Sequence, residues 1–133
     1  MDWGIDTSAL MRMITYEPPS LANKVSEKVA SIIEGGGTIH VSCLVVSEAY
    51  HALQHHYHAT KENAIFYLLA LSRQPGFHFD SEAIASLSRP NAATMSPGMV
   101  DCMIAGEYRS RGFRVLACEK DFRRLEDAEV VSE

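Results

Sequence analysis

The chain has 133 residues, 47% of them hydrophobic, and a net charge of −5 at neutral pH. That length and apolar content suffice for one folded unit with its own core, and they exclude a chain that is disordered in bulk or depends on disulfides. The acidic balance excludes coating of nucleic acid by bulk charge, although six of the 12 Lys and Arg residues gather between Arg109 and Arg124, a local density able to hold phosphates.

In chain order, residues 3–6 read as a short strand running into a turn of helix at residues 8–12. Pro18-Pro19-Ser20 opens a helix in which Leu21, Val25, Val29, Ile32 and Ile33 recur at helical spacing, and Gly35-Gly36-Gly37 stops it. Residues 38–41 form a second strand. Ser42 caps a helix reaching about residue 57, and Thr60 caps another through residue 71. Pro75-Gly76 breaks the chain before a third strand at residues 77–79, and Ser81 caps a short helix ending near Ser88. Residues 89–98, with two prolines, are a loop. A helix over residues 100–110 stops at Gly112. A strand at residues 114–117, a helical turn at residues 122–125 and a last strand at residues 129–131 complete the chain.

Strands alternating with helices predict βαβ units and therefore an α/β fold, a three-layer α/β/α sandwich with a mostly parallel central sheet. One domain over residues 1–133 is expected. The start, MDWGIDTSAL, has no basic segment followed by an apolar run, and no apolar stretch is long enough to span a bilayer. The expectation is a soluble, cytoplasmic protein without a membrane partner. Cys43, Cys102 and Cys118 lack metal-ligand spacing and are expected to be buried thiols.

In parallel sheets the working site lies outside the carboxyl ends of the strands. Asp6, Glu48, Asp101, Glu119 and Asp121 satisfy that rule. Gathered carboxylates repel one another by about 4 kcal/mol per pair at ~4 Å and an effective dielectric of 20, so protons or a cation must neutralise them. Oxygen-only donors favour Mg²⁺ or Mn²⁺ over zinc, and a hard cation there suits hydrolysis of a phosphodiester.

At these residues the sequence resembles PIN domains, and among them VapC-like toxins of toxin–antitoxin systems. "GIDTSAL" is similar to the family's first strand followed by Asp-Thr-Ser, and "VSCLVVSEAYHAL" to its second strand and glutamate-bearing helix. "DCMIAGEYRSRGFRVLACEKDFRRL" is similar to Asp, Ile-Ala-Ala, a glycine, a strand and Thr-x-Asp-x-Asp-Phe; here Ala117 replaces the hydroxyl, Glu119 the first of the two acids and Gly106 the second alanine. The resemblance implies a Mg²⁺-dependent (or Mn²⁺-dependent) endoribonuclease, often a homodimer, inhibited by a cognate antitoxin. By matching position, Asp6, Glu48 and Asp101 would be metal ligands, with Glu119 or Asp121 as the fourth acid. Of those two, Glu119 is expected to face the metal and Asp121 to cap the following turn. Thr7 and Ser8 would order the first carboxylate or contact RNA, and Lys120, Arg109 and Arg123 would contact its backbone. Tyr50, Tyr57, Phe66, Tyr67 and Leu68 are expected to form the dimer surface.

Two rival readings stand beside this one. The fold could act as a catalytically silent module that binds nucleic acid or a partner. Alternatively "EAYHALQHHYH", with His51 and His55 at i, i+4 and Glu48 on the same helical face, could serve a zinc hydrolase. The spacing favours instead a polar helix end whose histidines are dispensable for hard-cation chemistry.

Overall fold

The computed structural model describes residues 1–132. The elements are β1 (Asp2–Gly4), α1 (Thr7–Thr15), α2 (Pro19–Glu34), β2 (Thr38–Val41), α3 (Cys43–His55), α4 (Lys61–Ser72), β3 (Phe77–Phe79), α5 (Ser81–Leu87), α6 (Met99–Ser110), β4 (Val115–Ala117), a 3-10 turn (Lys120–Arg124) and β5 (Ala128–Val130). This is an α/β/α sandwich built on parallel strands. The predicted elements are present in order, with ends shifted by a few residues.

Local chemistry explains most of those ends. Asp6 caps α1 by accepting from the Ala9 amide at 2.8 Å, and Tyr16 closes it in the left-handed region. Ser42 and Thr60 cap α3 and α4, accepting from the amides of Val45 and Asn63. Pro19 stands in the first turn of α2, where its missing N–H costs nothing. After α2 the chain reverses through Gly36 at φ +86°, and at Gly37 a Cβ would stand 2.7 Å from the Met1 carbonyl oxygen.

The strands run in two parallel ladders, β1-β2-β3 and β4-β5. In the first, Trp3 pairs with Ile39 and Ile39 with Phe77, while Gly4 pairs with His40 and His40 with His78. Alternation sends Ile39, Val41 and Phe77 into the core and leaves His40 and His78 exposed, their rings stacked at 5.3 Å. The main core gathers Leu10, Val41, Val46, Leu53, Leu68, Leu87, Met99 and Met103; a smaller one joins Ala105, Val115 and Phe122 beneath the second ladder.

Burial corrects two sequence expectations. Tyr50 and Leu68 are core residues, so they belong to no outer surface, whereas Tyr57, Phe66 and Tyr67 are exposed. Cys43 and Cys102 are buried as expected, but Cys118, just past β4, is exposed. Among the described residues no helix is long and apolar enough to cross a membrane.

Candidate active site

Asp6 and Glu119 follow strands, Asp101 opens a helix, Asp121 lies in the 3-10 turn and Glu48 stands in the interior of α3. Asp6 follows β1. Its Oδ1 accepts from the Ala9 amide and from the Ser8 hydroxyl at 3.2 Å, so the group that caps α1 is also the first candidate ligand. Thr7, the first residue of α1, donates its hydroxyl to Glu48 Oε1 at 3.0 Å. That bond ties α1 to α3 and fixes Glu48 beside the end of β1. Thr7, Ser47, Glu48, His51, Ala52 and His56 line one cleft of about 410 Å³.

The second group stands at the end of β4. Asp101, in the first turn of α6, is half-buried, while Glu119 and Asp121 are exposed. Burial holds the Asp101 carboxyl above the ordinary carboxylate range, and the negative charges of Glu119 and then Asp121 push it further in the same direction. The expected capping role of Asp121 is not seen. Glu119 occupies the cap position of the 3-10 turn, Asp121 lies inside it, and no side chain bonds the turn's amides. Both acids therefore act on Asp101 through space, Glu119 more strongly.

The donor chemistry suits a hard divalent cation, since every candidate donor is a carboxylate or hydroxyl oxygen and the Asp101 group carries charge that a cation would neutralise. The spacing is more open than one ion needs. Among the described residues no three His, Cys, Asp or Glu side chains are close enough to hold a metal together, carboxylates and histidines alike. His51 and His55 instead lie against each other, their rings tilted by 39° with centroids 4.2 Å apart.

The basic candidates differ in their freedom. Lys120 and Arg123 are exposed on the 3-10 turn, whereas Arg109 is paired to Asp127 at 3.1 Å and braces α6 against the start of β5. Asp80 was missed, though the strand-end rule that found Asp6 finds it too, directly after β3. It accepts from the Cys43 amide at 3.0 Å and so caps α3 from outside the helix. Behind that amide the Cys43 thiol is pushed up to about 12, mainly by burial and then by Glu107, which excludes it as a nucleophile at neutral pH.

Comparison with known proteins gives the frame for these groups. No curated protein matches the chain. Among solved structures it is similar to a chain of VapBC2 from Rickettsia felis bound to a DNA fragment from their promoter, at 14% identity over 98% of each chain and a TM-score of 0.40. The family model for the PIN domain matches residues 5–128, from the residue before Asp6 to the first residue of β5. The chain belongs to the PIN domain family.

Proposed function

We propose that this protein is a single-domain, Mg²⁺-dependent endoribonuclease, the toxin of a toxin–antitoxin pair, acting in the cytoplasm on RNA and restrained by a cognate antitoxin. The observation that carries the reading is the crowding of negative charge on a half-buried Asp101 by Glu119 and Asp121. A fold keeps such a cluster at a cost in stability, and perturbed carboxyls in that arrangement mark working sites. Family membership and the positions of Asp6 and Glu119 just past the ends of β1 and β4 support the same reading.

Asp6 and Glu48 on one side and Asp101 and Glu119 on the other would hold the cation by closing on it, since no three of them stand near enough as they are, and Asp121 would add negative charge beside the second pair. A Mg²⁺ or Mn²⁺ ion held by these carboxylates would supply charge neutralisation and water activation. The chain's own residues set the geometry. The Ala9 amide and Ser8 hydroxyl fix one oxygen of Asp6 and leave the other free, and Thr7 aims Glu48. Lys120 and Arg123 would hold the RNA backbone, and Arg109 would reach it at the expense of its pairing with Asp127. Tyr57, Phe66 and Tyr67 supply apolar surface for a homodimer.

The test is cleavage of RNA by purified protein with Mg²⁺ and with a chelator. Asp6→Asn and Asp101→Asn should each abolish Mg²⁺-dependent cleavage and leave the fold intact. RNA binding without cleavage by the parent would establish the silent module instead. A neighbouring gene for a small DNA-binding protein is the expected sign of the antitoxin.

A further inference from the structure

We infer that His51 and His56 form an RNA-contacting wall of the Glu48 cleft, binding the phosphodiester chain next to the bond that is cut. The inference rests on the nuclease reading for the position of that bond. By sequence pattern these histidines are a polar helix end, but the structure divides them: His51 and His56 line the cleft with Thr7 and Glu48, while His55 lies outside it with its ring tilted against that of His51.

The hydrogen-bond inventory of the cleft points to the imidazoles. The Thr7 hydroxyl is given to Glu48, and the Ser47 hydroxyl to the carbonyl of Cys43 at 2.9 Å. Ala52 has no polar side chain, and Glu48 as a carboxylate only accepts. The side chains left to donate toward a ligand are His51 and His56, both exposed. A phosphodiester entering beside Glu48 meets like charge and needs donors close by. Among the described residues no Lys or Arg lines this cleft; the basic cluster sits on α6, the 3-10 turn and their flanks, beside the second group of acids. An imidazole N–H meets a phosphate oxygen, and its face accepts a stacked base. A transition metal is the less favoured occupant, since no third ligand stands near enough among the described residues.

The experiment measures binding and cleavage of a labelled single-stranded oligoribonucleotide of mixed sequence. Binding is read in the Asp101→Asn background with chelator present, cleavage in the parent background with Mg²⁺. His51→Ala and His56→Ala should each weaken binding about tenfold, as expected for loss of a hydrogen bond to a charged group. KM should rise by a similar factor, with kcat and the Mg²⁺ concentration for half-maximal cleavage changed less than about twofold. His51→Gln, which keeps an N–H donor, should recover much of the affinity, and His78→Ala on the exposed sheet face should change nothing. Unchanged binding in the His51→Ala/His56→Ala double variant, folded by its melting temperature, overturns the inference. So does loss of parent activity to a zinc-selective chelator with Mg²⁺ in excess, which would make the histidines ligands. The binding arm stands without cleavage: a parent that binds RNA but does not cut it defeats the nuclease reading alone.

Discussion

The hydroxyl of Thr7 donates a 3.0 Å hydrogen bond to Oε1 of Glu48, joining the residue after Asp6 to the helix that follows β2. The bond spans 41 positions in sequence. It is exposed, so its removal should cost no more than about 1 kcal/mol of stability. Its effect on Glu48 should be larger. Thr7→Val is expected to raise the Mg²⁺ concentration for half-maximal cleavage several-fold while Thr7→Ser keeps it near the parent value. Equal metal dependence in all three proteins would show that Glu48 needs no aiming.

Asp6 carries two duties that substitution can separate. Asparagine also accepts at a cap, so Asp6→Asn should lose cleavage yet melt within a degree or so of the parent. Asp6→Ala should lose cleavage and, in addition, about 1 kcal/mol of stability by freeing the Ala9 amide. Urea unfolding of the two variants side by side measures the difference.

The raised carboxyl of Asp101 makes stability depend on pH in a definite direction. The folded chain binds this proton more readily than the unfolded chain does. Stability should therefore rise as pH falls from above the raised value toward the ordinary value of 3.8, and the gain is lost again as pH rises through the raised value. In chelator, Asp101→Asn should remove that part of the slope and should melt no lower than the parent near neutral pH. Glu119→Gln should lower the Asp101 titration further than Asp121→Asn does, following the order of their influence. Carboxyl chemical shifts followed across the pH range would decide it.

Gly106 lets α5 and α6 approach closely, for a Cβ there would stand 2.2 Å from Glu82 Oε2. Alanine gains about 1 kcal/mol in helix propensity but must displace that carboxylate, so Gly106→Ala alone should be nearly neutral. With Glu82→Ala already present, the same change should recover most of that ~1 kcal/mol. Additive effects of the two changes would place Glu82 elsewhere.

The cysteines should differ sharply toward a thiol reagent. Under native conditions at mildly alkaline pH, iodoacetamide should modify Cys118 and spare Cys43 and Cys102, whose thiols are buried and raised in pKa. Mass spectrometry of the labelled protein should find one adduct.

Local chemistry was what the sequence displayed well. The caps at Ser42 and Thr60 and the third strand, Phe77–Phe79, depend on neighbours within a few positions, and they stand where the residue types put them. Facing was harder. In α4 the run Ala64-Ile65-Phe66-Tyr67-Leu68-Leu69 is apolar all round, so no stripe announces that Leu68 turns inward and Phe66 outward. The division of the strands into two ladders follows from hydrogen bonds between residues far apart in sequence, which no local pattern encodes. The site was half legible for the same reason: strand ends and helix starts pointed to the acids, while the Thr7–Glu48 bond, the Arg109–Asp127 pair and the cleft position of His56 required the chain to be folded.

The two ladders have a mechanical consequence. A strand ladder is stiff, because sliding one strand past another breaks a row of hydrogen bonds together. A seam of packed helices is compliant, because side chains can shear by an ångström and stay in contact. Asp6 and Glu48 belong to the ladder β1-β2-β3 and its flanking helices, and Glu119 to the ladder β4-β5; α5 packs on α6, with Gly106 facing Glu82, and α6 packs on β4. The ladder beside Asp6 and the ladder beside Glu119 are thus rigid, and the spacing between them is set by a soft part, to which Asp101 on α6 belongs. A spin label on Cys118 and another introduced at exposed Ser42 would read that separation directly, and a divalent cation bridging the groups should both shorten and narrow the distribution of distances between them.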